Sequence, residues 1–129
     1  MTKIALKIEQ LNQSYEDNPV LIDFSLSVNQ GEYIGLVGVN GAGKTTLIKS
    51  VLDFISIKTG NIEIFGQSHR ETSSRQSLSF LPEKFLPPYY LTGKDFLSYM
   101  TELNRVELKE SDIAEIFKVL DLELSALKK

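Results

Sequence analysis

The chain has no cysteine in its 129 residues. Disulfides, thiolate zinc sites and cysteine nucleophiles are therefore excluded, and an unstapled cytosolic protein is the reading that fits. Histidine occurs once, at His69. No stretch approaches the ~20 apolar residues that a membrane span requires. The opening MTKIALKIEQ mixes charge with apolar side chains and has no apolar core of signal-peptide length. Work at a membrane would thus need a partner that does the spanning. Blocks of like charge are also missing. With 14 basic and 17 acidic residues the net charge is −3, which leans against a nucleic-acid footprint, because binding along a duplex needs clustered Lys and Arg.

What is present is ordinary in bulk: 42% hydrophobic and 24% charged residues, as in soluble globular proteins. A chain of this length is one domain or a piece of one, able to bury roughly two-thirds of its unfolded surface. Residues 4 to 11 alternate apolar and polar, with Ile4, Leu6 and Ile8 opposed to Ala5, Lys7 and Glu9, the period of a half-buried strand. Asp17, Asn18 and Pro19 supply turn chemistry. Residues 20 to 28 resume the alternation, setting Leu21, Asp23, Ser25 and Ser27 against Ile22, Phe24, Leu26 and Val28. These two stretches predict a small antiparallel sheet.

From Tyr33 to Val37 the texture becomes continuously apolar (YIGLV), as expected of a strand buried on both faces. Leu47, Ile48, Val51, Leu52 and Ile55 then recur at helical spacing. Thr59 and Gly60 lead into a strand over residues 61 to 65, closed by Gly66. Residues 67 to 77 are polar and predict an exposed connection, with His69 as a surface residue. Residues 78 to 81 predict a short strand ending at Pro82. Beyond it, Thr92 with Asp95 and Asp112 with Glu115 predict two helix starts. Phe96, Leu97 and Met100 on the first helix are expected in a core. Ile113, Ile116, Phe117 and Leu120 give the second helix its apolar stripe.

Between the YIGLV strand and the helix lies GVNGAGKTT, residues 38 to 46. It matches G-x-x-x-x-G-K-[ST], and each position has a physical task. Gly38 lets the chain leave a strand in a tight turn. Gly41 and Gly43 lack Cβ, so the loop can close around phosphates and aim backbone N–H groups at their oxygens, with Asn40 and Ala42 completing it. The helix starting near Lys44 adds its positive end. Lys44 reaches the β- and γ-phosphates, Thr45 offers a hydroxyl to Mg²⁺, and Thr46 meets the next phosphate. A nucleoside triphosphate with Mg²⁺ is the expected pair.

With these residues in place the sequence resembles the ATP-binding subunits of ABC transporters. The resemblance extends through LNQSYEDNPVLIDFSLSVNQGE, EYIGLVGVNGAGKTTLIK, TGNIEIFG, LSFLPE and LTGKDFL, in that order, and corresponds to about the first half of such a subunit. It implies an α/β fold: a P-loop NTPase core (31–83) with an antiparallel β subdomain (1–30) and the start of a helical subdomain (84–129), truncated. It implies that Tyr15 stacks on adenine, a contact worth ~1–3 kcal/mol per base in nucleic-acid complexes, with Val20 on the other side of the base. Glu83 takes the position where the family usually has a glutamine near Mg²⁺ and the attacking water, so it inherits a catalytic and metal-ligating role with altered chemistry. Glutamate ligates Mg²⁺ through oxygen but cannot donate a hydrogen bond when ionised.

The family's LSGGQ-type signature is not found; LSAL at 124–127 is no substitute. Nor is there an apolar strand ending in Asp and a catalytic Glu, since FKVLDLE (117–123) has the spacing of a helix end. Hydrolysis needs a group to orient water as well as a cradle, so this chain alone is expected to bind ATP without turning it over. The resemblance implies two partners, an integral membrane permease and a second ATP-binding subunit, identical or not. It places the protein in the cytoplasm, peripheral on the inner face of the membrane, with no nucleic acid expected. A non-transport relative in DNA repair or translation, or a nucleotide-binding module without hydrolysis, stays open. PPYY at 87–90 reads as a turn before the helical subdomain, and Glu102, Arg105, Glu107, Lys109 and Glu110 as a solvated face.

Overall fold

The computed structural model describes residues 2–129. The chain divides into two compact units, Met1–Ser79 and Phe80–Lys129.

The first unit is built on a four-stranded antiparallel sheet, ordered β2-β1-β3-β4. The two long strands β1 (Ile4–Tyr15) and β2 (Asn18–Asn29) form a hairpin, and β3 (Thr59–Ile64) pairs with the other edge of β1. The two-residue turn Phe65-Gly66, with φ of 48° and 79°, then brings β4 (Gln67–Ser68) back along β3. The predicted sheet is therefore present, but its alternation is interrupted. Gln10 has φ 48° and is an extra residue in β1 relative to both neighbours: Ile8 faces Leu26 and Leu11 faces Phe24, while Glu9 faces Asn61 and Asn12 faces Thr59. Asp23 (φ 45°) does the same in β2. A bulge exchanges the faces on either side of it. Hence Ile8 and Leu11 are both buried, and Leu21 goes inward while Ile22 is 71% exposed, contrary to the uninterrupted pattern expected. Asn12 braces the distortion, giving hydrogen bonds to the Gln10 carbonyl (3.0 Å) and Thr59 Oγ1 (3.1 Å) and accepting one from the Asp23 N–H (2.9 Å).

Against this sheet packs α1 (Lys44–Val51), which supplies Leu47 to a core of Ile8, Leu11, Leu21 and Ile62. The helix stops before Ile55. Asp53 adopts the left-handed conformation (φ 58°), its N–H reaches Ser50 O (3.1 Å), and Phe54 N–H reaches Lys49 O (2.9 Å), a Schellman end made without glycine. The segment 67–77 is not an exposed connection. It contains β4 and the one-turn α2 (Thr72–Arg75), and it buries Ser74 and His69, the latter only 2% exposed.

Two expected strands do not form. Residues 33–37 and 78–81 have no strand pairing, and Tyr33 is fully exposed while Val37 is 94% exposed. A strand exists only by pairing. β1 is taken on both edges by β2 and β3, and no other described segment pairs with either run.

The second unit carries α3 (Gly93–Leu103), α4 (Glu110–Val119) and a 3-10 turn (Leu124–Lys128). Thr92 and Asp95 form the predicted capping box at α3. α4 starts earlier than Asp112, which instead accepts the Lys109 N–H (3.1 Å). Residues 117–119 are helical, and the chain leaves α4 through Asp121 at φ 53°, so FKVLDLE is a helix end. Phe96 and Leu97 are half-buried, with Phe96 5.6 Å from the Phe85 ring, but Met100 is 38% exposed rather than core.

Candidate functional site

The stretch from Asn40 to Gly43 turns the chain tightly, closed by Ala42 N–H on Val39 O (3.1 Å). Gly41 and Gly43 both have positive φ, 85° and 94°. At Gly43 the reason is also steric: a Cβ there would lie 2.9 Å from Val20 Cγ1, 3.1 Å from Leu21 Cδ2 and 3.2 Å from the Val20 carbonyl. The loop is thus pressed directly onto β2. Leu47 N–H on Gly43 O (2.8 Å) closes the first turn of α1.

That turn has no side-chain cap and no acidic residue. Its first N–H groups are unsatisfied within the helix and sit at the positive end of the helix dipole, the arrangement that favours an anion. Lys44 folds back over the loop, its ammonium donating to the carbonyls of Gly38 and Val39 (2.8 Å to the latter). Gly38 and Ala42 frame the loop; a Cβ on Gly38 would sit 3.2 Å from that of Ala42. Behind the site, Thr46 and Ser50 are buried, with Ser50 Oγ donating to Thr46 O (2.8 Å).

Tyr15, Val20, Asn40, Gly41, Gly43, Lys44, Thr45 and Thr46 line one cavity of about 320 Å³. Residues from the end of β1, the start of β2 and the loop before α1 therefore converge, although the sequence separates them. Tyr15 is half exposed at the cavity's edge. Glu83 belongs to the second unit, exposed in a turn with Lys84. Leu21, which helps seat Gly43, escaped the sequence reading; only its place beside Val20 pointed to it.

Mg²⁺ takes few protein ligands and keeps waters and substrate phosphates. Thr45 lines the cavity, and among the described residues no group of three or more His, Cys, Asp or Glu gathers to hold an ion by itself. Nor is any helix among the described residues long and apolar enough to cross a membrane.

A family described as ABC transporter matches residues 21–127. The manganese transport system ATP-binding protein MntB of Bacillus subtilis is 35% identical over 79 residues, 61% of this chain and 31% of that protein. The ABC transporter ATP-binding protein YxlF of the same organism is 29% identical over 96% of this chain and 42% of its own length. Among solved structures, a Pyrococcus furiosus protein described as an ABC transporter ATP-binding protein superposes with a TM-score of 0.82 at 28% identity, covering 96% of this chain and 60% of that one. The chain spans less than half the length of these two curated relatives.

Proposed function

The chain belongs to the ABC transporter family of ATP-binding proteins, and from that premise we propose that it is the ATP-binding part of a transport ATPase. In this reading the γ- and β-phosphates lie on the N–H groups of residues 41–46, Lys44 neutralises them, and Thr45 holds Mg²⁺ together with the phosphates. Tyr15 and Val20 take the adenine, and Glu83 keeps the metal-ligating role that the resemblance gives it. The observation that carries the reading is the single cavity joining Tyr15 and Val20 to the phosphate loop. An aromatic ring and an apolar side chain suit a base; uncapped N–H groups and an ammonium suit a triphosphate.

In this reading the chain alone binds MgATP without hydrolysing it, because no carboxylate or histidine that could deprotonate water lines the cavity. Turnover, a second ATP-binding subunit and a membrane permease belong to the longer protein that the relatives represent. In such a protein the apolar residues 33–37 would be paired and covered. The protein then sits in the cytoplasm against the membrane's inner face, held by the permease.

The test is MgATP binding and phosphate release by this chain, with Lys44→Ala beside it. The expected result is saturable binding that Lys44→Ala weakens, with no turnover in either. Turnover abolished by Lys44→Ala would mean that a group of this chain, Glu83 foremost, completes the site.

A further inference from the structure

A cluster of ionisable groups that the cradle does not use lies at the far end of α1. Asp53, the left-handed residue ending that helix, directs its carboxylate at two side chains. Oδ2 is 3.2 Å from Arg75 Nη1 on α2, and Oδ1 is 3.8 Å from His69 Nε2. Arg75 Nη1 also donates to the His69 carbonyl (2.5 Å). The His69 ring is almost wholly buried, with Nδ1 3.2 Å from the Ile62 carbonyl. A carbonyl only accepts, so Nδ1 carries the hydrogen of the neutral ring. Nε2 is then a bare lone pair, buried, without a hydrogen-bond partner, and facing a carboxylate.

The groups acting on this ring come from each element around it. Asp53 is at the end of α1, Arg70 and Arg75 are on the β4–α2 side, and β3 presents the Ile62 carbonyl. Burial is the largest influence and holds the imidazole below its ordinary pKa; the Ile62 carbonyl and Asp53 oppose this, and the two arginines add to it. A proton on Nε2 would put a third cation among two arginines and one carboxylate. The new N–H would face Asp53 Oδ1 at 3.8 Å, beyond hydrogen-bond distance, so satisfying it requires the carboxylate or the ring to move.

We propose that Asp53, His69 and Arg75 form a brace that fixes the end of α1, and through that helix the phosphate loop at its start, and that proton uptake at His69 Nε2 opens it. The proposal rests on the nucleotide-binding reading above. His69 is thereby a positioning residue for the cradle and touches no ligand itself. The path is short: eight helical residues span about 12 Å, and Leu47 in their middle packs in one core with Ile62, whose carbonyl holds the ring.

Because His69 is the chain's only histidine, its ring can be followed by ¹H–¹⁵N NMR in the intact protein. The expected spectrum is the Nδ1-protonated tautomer, with one titration below the ordinary histidine value. Asp53→Gly should lower that midpoint further; glycine keeps the left-handed helix end at little cost, so the variant removes the carboxylate without removing the turn. MgATP affinity measured from about pH 8 to 5 should weaken by roughly two- to tenfold toward acid in the wild type. His69→Gln, which keeps an N–H for the Ile62 carbonyl and has no charge to gain, should lose this weakening and keep only the dependence that the nucleotide's own terminal phosphate causes. An Nε2-protonated tautomer, a midpoint unmoved by Asp53→Gly, or an unchanged acid response in His69→Gln would overturn the brace. If the wild type binds no MgATP at any pH, it is the nucleotide reading that fails. The brace is then decided by the NMR titration together with amide exchange at residues 52–54, which Asp53→Gly should speed and which unchanged exchange would refute.

Discussion

A Cβ on Gly60 would lie 2.7 Å from the carbonyl oxygen of Gln10, and equally close to Leu11 Cα. Gly60 has φ +105° and sits in β3 opposite the point where β1 holds its extra residue. The two features depend on each other: the bulge pushes β1 backbone toward β3, and only a residue without a side chain leaves room for it.

Gly60→Ala therefore meets backbone that cannot rotate away, in a conformation that side chains rarely adopt. The expected cost is about 3 kcal/mol of stability, read as a lower urea midpoint at unchanged slope. A midpoint within error of the wild type would mean that the bulge is not fixed as described.

The bulges also decide which of two adjacent apolar residues matters. Leu21 lies in the core and Ile22 faces solvent. Leu21→Ala should cost about 2–5 kcal/mol, whereas Ile22→Ala should stay within roughly 0.5 kcal/mol. A larger loss at Ile22 than at Leu21 would restore the uninterrupted alternation that the sequence suggested.

The glycine-rich loop was legible as a motif because its pattern is local: Gly38, Gly43, Lys44 and Thr45 lie within eight positions and need no distant partner to be read. Tyr15 and Val20 were reached only through the family resemblance, since nothing in their own neighbourhood says that β1 ends beside the loop. The hidden parts have a common cause. Gln10 and Asp23 carry no bulge signal in their residue types, and α1, α3 and α4 end on Asp53, Arg105 and Asp121 at positive φ rather than on glycine, so apolar periodicity overran the first of these ends. His69 looked exposed because its neighbours are polar. It is buried because a two-residue turn folds β4 onto β3 and carries the ring under it. Residues 33–37 show the converse: an apolar run states that a strand wants two covered faces, and cannot state what covers them.

In the second unit, Asp95 should titrate below the ordinary aspartate value of 3.8, because Thr92 Oγ1 donates to its carboxylate (2.6 Å) and the Thr92 N–H adds a second bond (3.2 Å). With the folded value depressed, the stabilisation is fully present above the unfolded value and is lost as pH falls through the folded one. Thr92→Ala should cost about 1 kcal/mol and raise the Asp95 midpoint toward 3.8, which carboxyl ¹³C NMR can follow. A midpoint that does not rise would remove Thr92 as the cause.

The two positive-φ glycines of the phosphate loop should respond differently to alanine. At Gly41 nothing lies within 4 Å of an added Cβ, so only the backbone conformation resists. At Gly43 the same strain is joined by Val20 and Leu21 of β2. Left-handed strain of 1–2 kcal/mol corresponds to about tenfold in binding. Gly41→Ala should weaken MgATP affinity by about that factor, and Gly43→Ala should weaken it further. Val20→Ala introduced with Gly43→Ala removes the side chain at 2.9 Å but not the carbonyl at 3.2 Å, so the pair should recover part of the loss and show a favourable coupling in a double-mutant cycle. Calorimetric titration of the four proteins measures it. Strict additivity would show that Val20 does not press on the loop, and that β2 plays no part in shaping the cradle.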